Sequence, residues 1–156
     1  MAIEIERKFL VVGEAWRRGA TVKPIEQGYL FSSPMVSARI RLVDGTATLT
    51  LKGERAGLAR DEFEYAIPIA DARDLMRLSQ HPPIVKLRHE VVYAGKLWEV
   101  DEFTGRHAGL VIAEIELDHA DEVFERPSWL GQEVTHDRRY RNSALIASGI
   151  PGEQAA

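Results

Sequence analysis

The stretch Met1-Ala2-Ile3-Glu4-Ile5-Glu6-Arg7-Lys8 sets the terms on which the rest of the chain is read. Successive side chains of a β-strand point to opposite faces. Glu4, Glu6 and Lys8 therefore share one face, and Ile3 and Ile5 take the other. For one half-exposed antiparallel strand this is ordinary, with the apolar face inward and the charges in water. What makes it informative is that the pattern returns.

In 36–43, Arg39 and Arg41 oppose Ile40 and Leu42, and in 46–52 Lys52 lies with Thr48 and Thr50 opposite Leu49 and Leu51. Glu62 and Glu64 oppose Phe63 and Tyr65 in 61–67. Lys86 and Arg88 oppose Val85 and Leu87 in 84–93. Glu99 and Asp101 oppose Trp98 and Val100 in 96–103, and Glu114 and Glu116 oppose Ile115 and Leu117 in 110–117. A closed barrel gives all seven charged faces one destination, its interior. The apolar faces then point outward and need covering.

The segments between these strands fit that architecture. The first strand, 2–12, ends at Gly13, and Glu14–Gly19 fits either a short helix or a loop. A further strand is expected over 26–31. Asp44-Gly45 and Ala94-Gly95 mark tight turns, whereas Gly53–Arg60 reads as a looser loop. Apolar residues at Ile69, Ala72, Leu75, Met76 and Leu78 predict an amphipathic helix over 69–79. Asp118 can cap a short helix to about Glu125, and Asn142 a last helix over Ser143–Ser148 that Gly149 and Pro151 stop. The expected fold is mainly β (α+β): about eight antiparallel strands in a barrel around a charged tunnel, helices outside, and a short C-terminal helix. That helix either plugs one end or simply packs on the barrel. Residues 1–150 are expected to form one domain, with 151–156 a flexible tail.

Composition narrows the function. The 156 residues are 45% hydrophobic and 28% charged, as a folded protein requires. The net charge of −4 argues against a broad basic surface for duplex nucleic acid. There is no cysteine, hence no disulfide and no thiolate metal site. No apolar run reaches membrane-spanning length, and the charged N-terminus lacks a signal-peptide core. A soluble cytoplasmic protein, alone or as a homodimer, is expected.

Charge buried in dry protein costs several kcal/mol per ion, so the interior must hold water or a neutralising ligand. Lys8, Arg39, Arg41, Lys52, Lys86 and Arg88 suit a polyanion, and arginine in particular suits phosphate oxygens. Paired glutamates with no thiolate or histidine cluster suit a hard divalent cation such as Mg²⁺ or Mn²⁺.

Taken together these motifs resemble the CYTH domain family, the triphosphate tunnel metalloenzymes. The resemblance rests on Glu4-Ile5-Glu6-Arg7-Lys8, Arg39-Ile40-Arg41, Thr50-Leu51-Lys52, Glu62-Phe63-Glu64, Lys86-Leu87-Arg88 and Val100-Asp101-Glu102-Phe103. Ala113-Glu114-Ile115-Glu116-Leu117 and Arg139-Tyr140-Arg141-Asn142 complete it. The Glu-x-Glu-x-Lys motif alone is weak; followed by the later motifs in strand context it is specific. The resemblance implies an eight-stranded tunnel and metal-dependent hydrolysis of the terminal phosphoanhydride of a linear triphosphate.

Carried over by position, the six basic residues hold phosphates. Glu4, Glu6, Glu114 and Glu116 hold metal, with Asp101 a further ligand or water-positioning group. Lys8, Asp101, Glu114 and Glu116 are expected to be the catalytic residues. Glu62 and Glu64 support the site, by binding metal through water, by orienting the basic residues or by balancing charge. The chain resembles the short bacterial inorganic tripolyphosphatases. The alternatives are a class IV-type adenylate cyclase, a nucleoside or thiamine triphosphatase, or a non-catalytic polyphosphate or nucleotide binder. His81, His89, His107, His119 and His136 show no paired metal spacing and are expected to be structural or surface residues. Trp98 belongs to the core by parity, whereas Trp16 and Trp129 are placed near a tunnel mouth.

Overall fold

The computed structural model describes residues 2–152. The strands in chain order are β1 (Ala2–Val11), β2 (Thr21–Ser32), β3 (Ser37–Val43), β4 (Thr46–Ala56), β5 (Ala59–Ala66), β6 (Ile84–Tyr93), β7 (Lys96–Phe103), β8 (Val111–Glu116) and β9 (Leu130–Glu133). The helices are α1 (Ile69–Met76) and α2 (Asn142–Ser148). Strand order is β5-β4-β3-β2-β6-β7-β8-β1, and β1 returns to pair with β5 from Ala2↔Glu62 to Ile5↔Ala59. Eight antiparallel strands thus close on themselves. Both predicted hairpin turns have left-handed backbone at their two central residues, φ 47° and 71° at Asp44-Gly45 and 48° and 77° at Ala94-Gly95. That geometry matches the twist of the flanking strands.

The apolar faces point outward, as parity requires, and are covered in two different ways. On the β2–β4 side, Ala72 and Met76 of α1 pack against Ile40 and Ala47. The close approach needs Gly28, where a Cβ would stand 3.0 Å from the Met76 sulfur. On the β1–β8 side the cover is aromatic and non-helical. Phe9, Trp98, Val100, Ala113 and Ile115 are buried beneath Trp16 and Trp129. Trp98 meets the rings of Phe9, Phe124 and Trp129 edge-on at 5.5–5.9 Å. Trp16 and Trp129 are therefore outer-core residues and not tunnel-mouth residues: the lipophilic outside of the barrel claims them.

Other expectations are corrected by the same packing. No helix forms over 118–125; instead Glu122 accepts from the Asp118 amide in a turn, and the chain runs on irregularly. A helix there would withdraw Phe124 from Phe9 and Trp98. The loop expected at 53–60 is a continuation of β4 and β5 with only Gly57 and Leu58 between them. β2 begins at Thr21, five residues before the expected start, and passes through Pro24. β9 was not expected at all. It occupies the edge of β1 beyond β5, so that Phe9 pairs with Ala113 on one side and Glu133 on the other.

The interior is not uniformly charged. At the end where β1 finishes, Ile84, Phe103, Leu110 and Ile112 point inward and enclose Leu145 and Ile146 of α2. Both of these α2 side chains are buried, and each contributes about 1.5–3 kcal/mol by leaving water. The C-terminal helix is thus seated in one end of the barrel. Gly149, at φ 78°, ends it. The expected tail of 151–156 lies outside the described residues from 153 onward. Among the described residues, no helix is long and apolar enough to cross a membrane.

Candidate active site

Two lobes of cavity occupy the rest of the barrel, of about 650 Å³ and 240 Å³. Glu6, Arg39, Arg41, Lys52, Arg88 and Glu114 line both, and so form the junction. The smaller lobe adds Glu4, Glu62, Glu64, Glu99 and Glu116 and is the acidic one. The larger adds Lys8, Lys86, Arg55, Arg60, Arg138 and Arg141 and reaches α2. Every site residue expected from the sequence lines one lobe or the other, except Asp101.

Asp101 is fully buried between two cations. Its Oδ2 accepts from Lys86 Nζ at 2.6 Å, and Arg88 donates to its two oxygens at 2.8 and 2.9 Å. Burial alone would raise its pKa, but Lys86 and then Arg88 outweigh burial and hold it near 2. Both oxygens are engaged, so the group sits as an anchor for cations rather than as an open donor. The cation side of the same contact is different. Burial pushes Lys86 down to about 7, with Arg88 and Arg41 adding to the shift against the opposing pull of Asp101. Lys86 and Arg88 share this carboxylate, Arg88 also donating to Glu99 at 2.6 Å, and Lys86 is the cation that burial weakens. Arg41 is likewise lowered, to about 10, by burial, Arg39 and Arg88.

The remaining carboxylates pair with cations along the tunnel wall, mostly on neighbouring strands. Lys52 Nζ donates to both oxygens of Glu4, at 2.8 and 2.9 Å, and lies 3.3 Å from Glu62. Lys8 lies 3.4 Å from Glu114, its register partner on β8. Burial would raise Glu114, but Lys8, Arg88 and Lys86 together hold it well below the carboxylate range. Arg39 donates to Thr50 Oγ1, which in turn donates to Glu64. Glu6 is the exception. Its nearest cation is Arg55, at 3.7 Å, and burial followed by repulsion from Glu114 pushes it up to about 7. Glu116 is also raised, by burial, Glu4 and Glu62.

These carboxylates suit a divalent cation by donor type, since all are hard oxygen ligands. Glu6 and Glu116 are further raised, after burial, by neighbouring carboxylates, Glu114 for the first and Glu4 and Glu62 for the second, a repulsion that a dication would relieve. Among the described residues, no three carboxylate or imidazole groups are already gathered to hold a metal, because Glu4 and Glu114 are turned to Lys52 and Lys8. The residues fit the ion chemically, with those salt bridges to be exchanged for it.

Sequence reading missed several lining residues. Arg60 follows the period-2 rule once β5 is extended, so a signal for it existed; Gln27, inside the expected strand 26–31, is buried against Arg41 and lines neither lobe. Arg55 had none, because a register shift between Lys52 and Arg55 breaks the alternation. Arg141 and Asn142 come from the segment before and at the start of α2. Of the histidines, His107 bonds the Leu145 carbonyl at 2.7 Å and His89 lies buried against Trp16, both structural. His81 instead reaches the larger lobe.

A CYTH domain profile matches residues 2–145. The chain belongs to the CYTH domain family. It is 45% identical over 147 residues to an inorganic triphosphatase of Acetivibrio thermocellus, with 94% of each chain covered. To an inorganic triphosphatase of Nitrosomonas europaea it is 38% identical, over 93% of this chain and 97% of that one. A solved structure of an inorganic triphosphatase superposes with a TM-score of 0.70 at 34% identity, covering 97% of this chain and 99% of the other. CYTH membership implies a divalent metal ion in the tunnel.

Proposed function

We infer that this CYTH protein is a hydrolase of linear triphosphates, with inorganic tripolyphosphate as its substrate and Mg²⁺ or Mn²⁺ as its metal. The observation that carries the reading is the junction at Glu114, where the cation-lined lobe meets the carboxylate lobe inside one barrel. Relatives over nearly the full chain that are inorganic triphosphatases support it. Among the described residues, the carboxylate lobe has no aromatic lining, and Tyr29 and Phe31 line only the larger lobe.

Lys8, Arg39, Arg41, Lys52, Lys86 and Arg88 bind and orient the phosphate oxygens, and Arg55, Arg60 and Arg141 extend that grip toward α2. Asp101 positions Lys86 and Arg88. Glu4, Glu6, Glu114 and Glu116 would hold the metal, and Glu62 and Glu64 keep Lys52 and Arg39 in place. When bound, the metal neutralises charge on the phosphoryl oxygens and orders the attacking water. Water adds to the terminal phosphorus, the bond to the bridging oxygen breaks, and pyrophosphate leaves beside orthophosphate. The water's proton passes to a carboxylate of the acidic lobe. Catalysis rests on positioning and electrostatics, without a covalent nucleophile.

The test is product analysis. Orthophosphate, pyrophosphate and cyclic AMP are measured from tripolyphosphate, thiamine triphosphate, ATP and GTP, with Mg²⁺ and with Mn²⁺. Tripolyphosphate should give the highest kcat/KM, and cyclic AMP as the main product from ATP would overturn the assignment.

Metal binding should also show in stability. Glu6 in the metal-free fold keeps its proton up to about pH 7, above the ordinary 4.5. A raised carboxyl pKa contributes stability that is present below about pH 4.5 and is lost as pH rises through 7. A bound dication replaces that proton. The rise in melting temperature on adding Mg²⁺ is therefore expected to be larger at pH 8 than at pH 5, by differential scanning fluorimetry. An equal rise at both would remove Glu6 from the ligand set.

A further inference from the structure

Gln27 lies fully buried on β2, with both ends of its amide bonded. Its Oε1 accepts from Arg41 Nε at 3.0 Å and Nη2 at 2.8 Å, and its Nε2 donates to Asn142 Oδ1 at 2.8 Å. The same Asn142 oxygen accepts from Lys86 Nζ at 2.9 Å. Arginine and protonated lysine offer donors only. Every direction in the run is thereby fixed: the Gln27 oxygen must face Arg41, its NH₂ must face Asn142, and the Asn142 oxygen must face both Gln27 and Lys86. Flipping either amide would break the run.

The run links four elements. Arg41 on β3 and Lys86 on β6 flank β2, and Asn142 is the first residue of α2. The choice of amides has a chemical consequence. A carboxylate at 27 would hold Arg41 as firmly, but would neutralise it and repel an incoming polyanion. A neutral amide holds a cation in place and leaves its charge for the ligand.

We infer that Gln27 and Asn142 are positioning residues for phosphate binding: together they fix Arg41 and Lys86 and make the seating of α2 part of that geometry. The inference rests on reading the tunnel as a triphosphate site, and binding can be separated from turnover to test each. Tripolyphosphate affinity is measured by calorimetry on metal-free Asn142→Ala, Gln27→Ala and the double variant, with melting temperatures alongside. KM and kcat follow with Mg²⁺.

Each single change should weaken tripolyphosphate binding and raise KM about tenfold, as loss of a bond to a charged group does, with kcat nearly unchanged. The double variant should be no worse than the poorer single one, because both break one run. Gln27→Glu should raise KM at least as much as Gln27→Ala, although Arg41 keeps an acceptor. Additive losses in the double variant, or a fall in melting temperature with affinity and KM unchanged, would overturn the inference. Should the wild type bind tripolyphosphate without cleaving it, the hydrolase reading falls, and the calorimetry still decides this one. A wild type that fails to bind it overturns both.

Discussion

Asp101→Ala is expected to destabilise the fold by about 3–5 kcal/mol, the cost of leaving buried charge without its partner. That is a large share of the 5–15 kcal/mol that holds a typical domain together. The reason lies in the company it keeps. Lys86 and Arg88 both bond to Asp101, and Arg41 is close enough to depress Lys86. Removing Asp101 strips Lys86 of its carboxylate and leaves Arg88 only Glu99, with the Arg41 charge alongside. Urea denaturation of the metal-free protein measures the loss. The pH dependence has a defined sign: with its pKa depressed to about 2, Asp101 contributes stability above about pH 4 and loses it as pH falls toward 2. An Asp101→Ala variant with wild-type stability that fails only in Mg²⁺-dependent turnover would make this residue a metal ligand after all.

Glu114→Gln should lower kcat/KM by about a hundredfold or more, the scale found when one preorganised electrostatic group is lost. Glu114 alone among the proposed metal-holding residues is held well below the carboxylate range while lying at the junction of both lobes. The amide keeps an oxygen for Lys8, so the melting temperature should change little. Extra Mg²⁺ should restore part of the activity by mass action. Full activity at low Mg²⁺ would exclude Glu114 from the ligand set. Glu6, freed of one neighbouring charge that now raises it, should then titrate lower.

Much of this was legible in the chain because a strand face has one period and the barrel one inside. Once Arg39, Lys86, Glu99 and Glu114 share parity across seven strands, closure follows. The rule reports which way a side chain points and is silent about whom it meets. Asp101 shows the limit: its parity marks it as interior, and only the register opposite Arg88 shows that it serves cations. Arg55 was beyond reach because a bulge reverses its face. The outer layer was harder still. Phe124 and Trp129 sit in segments without periodicity, and their places are set by the ring cluster on Trp98, a contact between residues far apart in sequence.

The two lobes also have opposite sign, and that sorts the traffic through the lumen. A polyanion is drawn toward Arg60, Arg138 and Arg141 and turned away by Glu62, Glu64 and Glu116; a dication experiences the reverse. The two lobes meet at Glu114, which lines both. Electrostatic steering at the arginine side would fade with added salt, whereas the meeting point itself, buried and fixed by the strands, would not move.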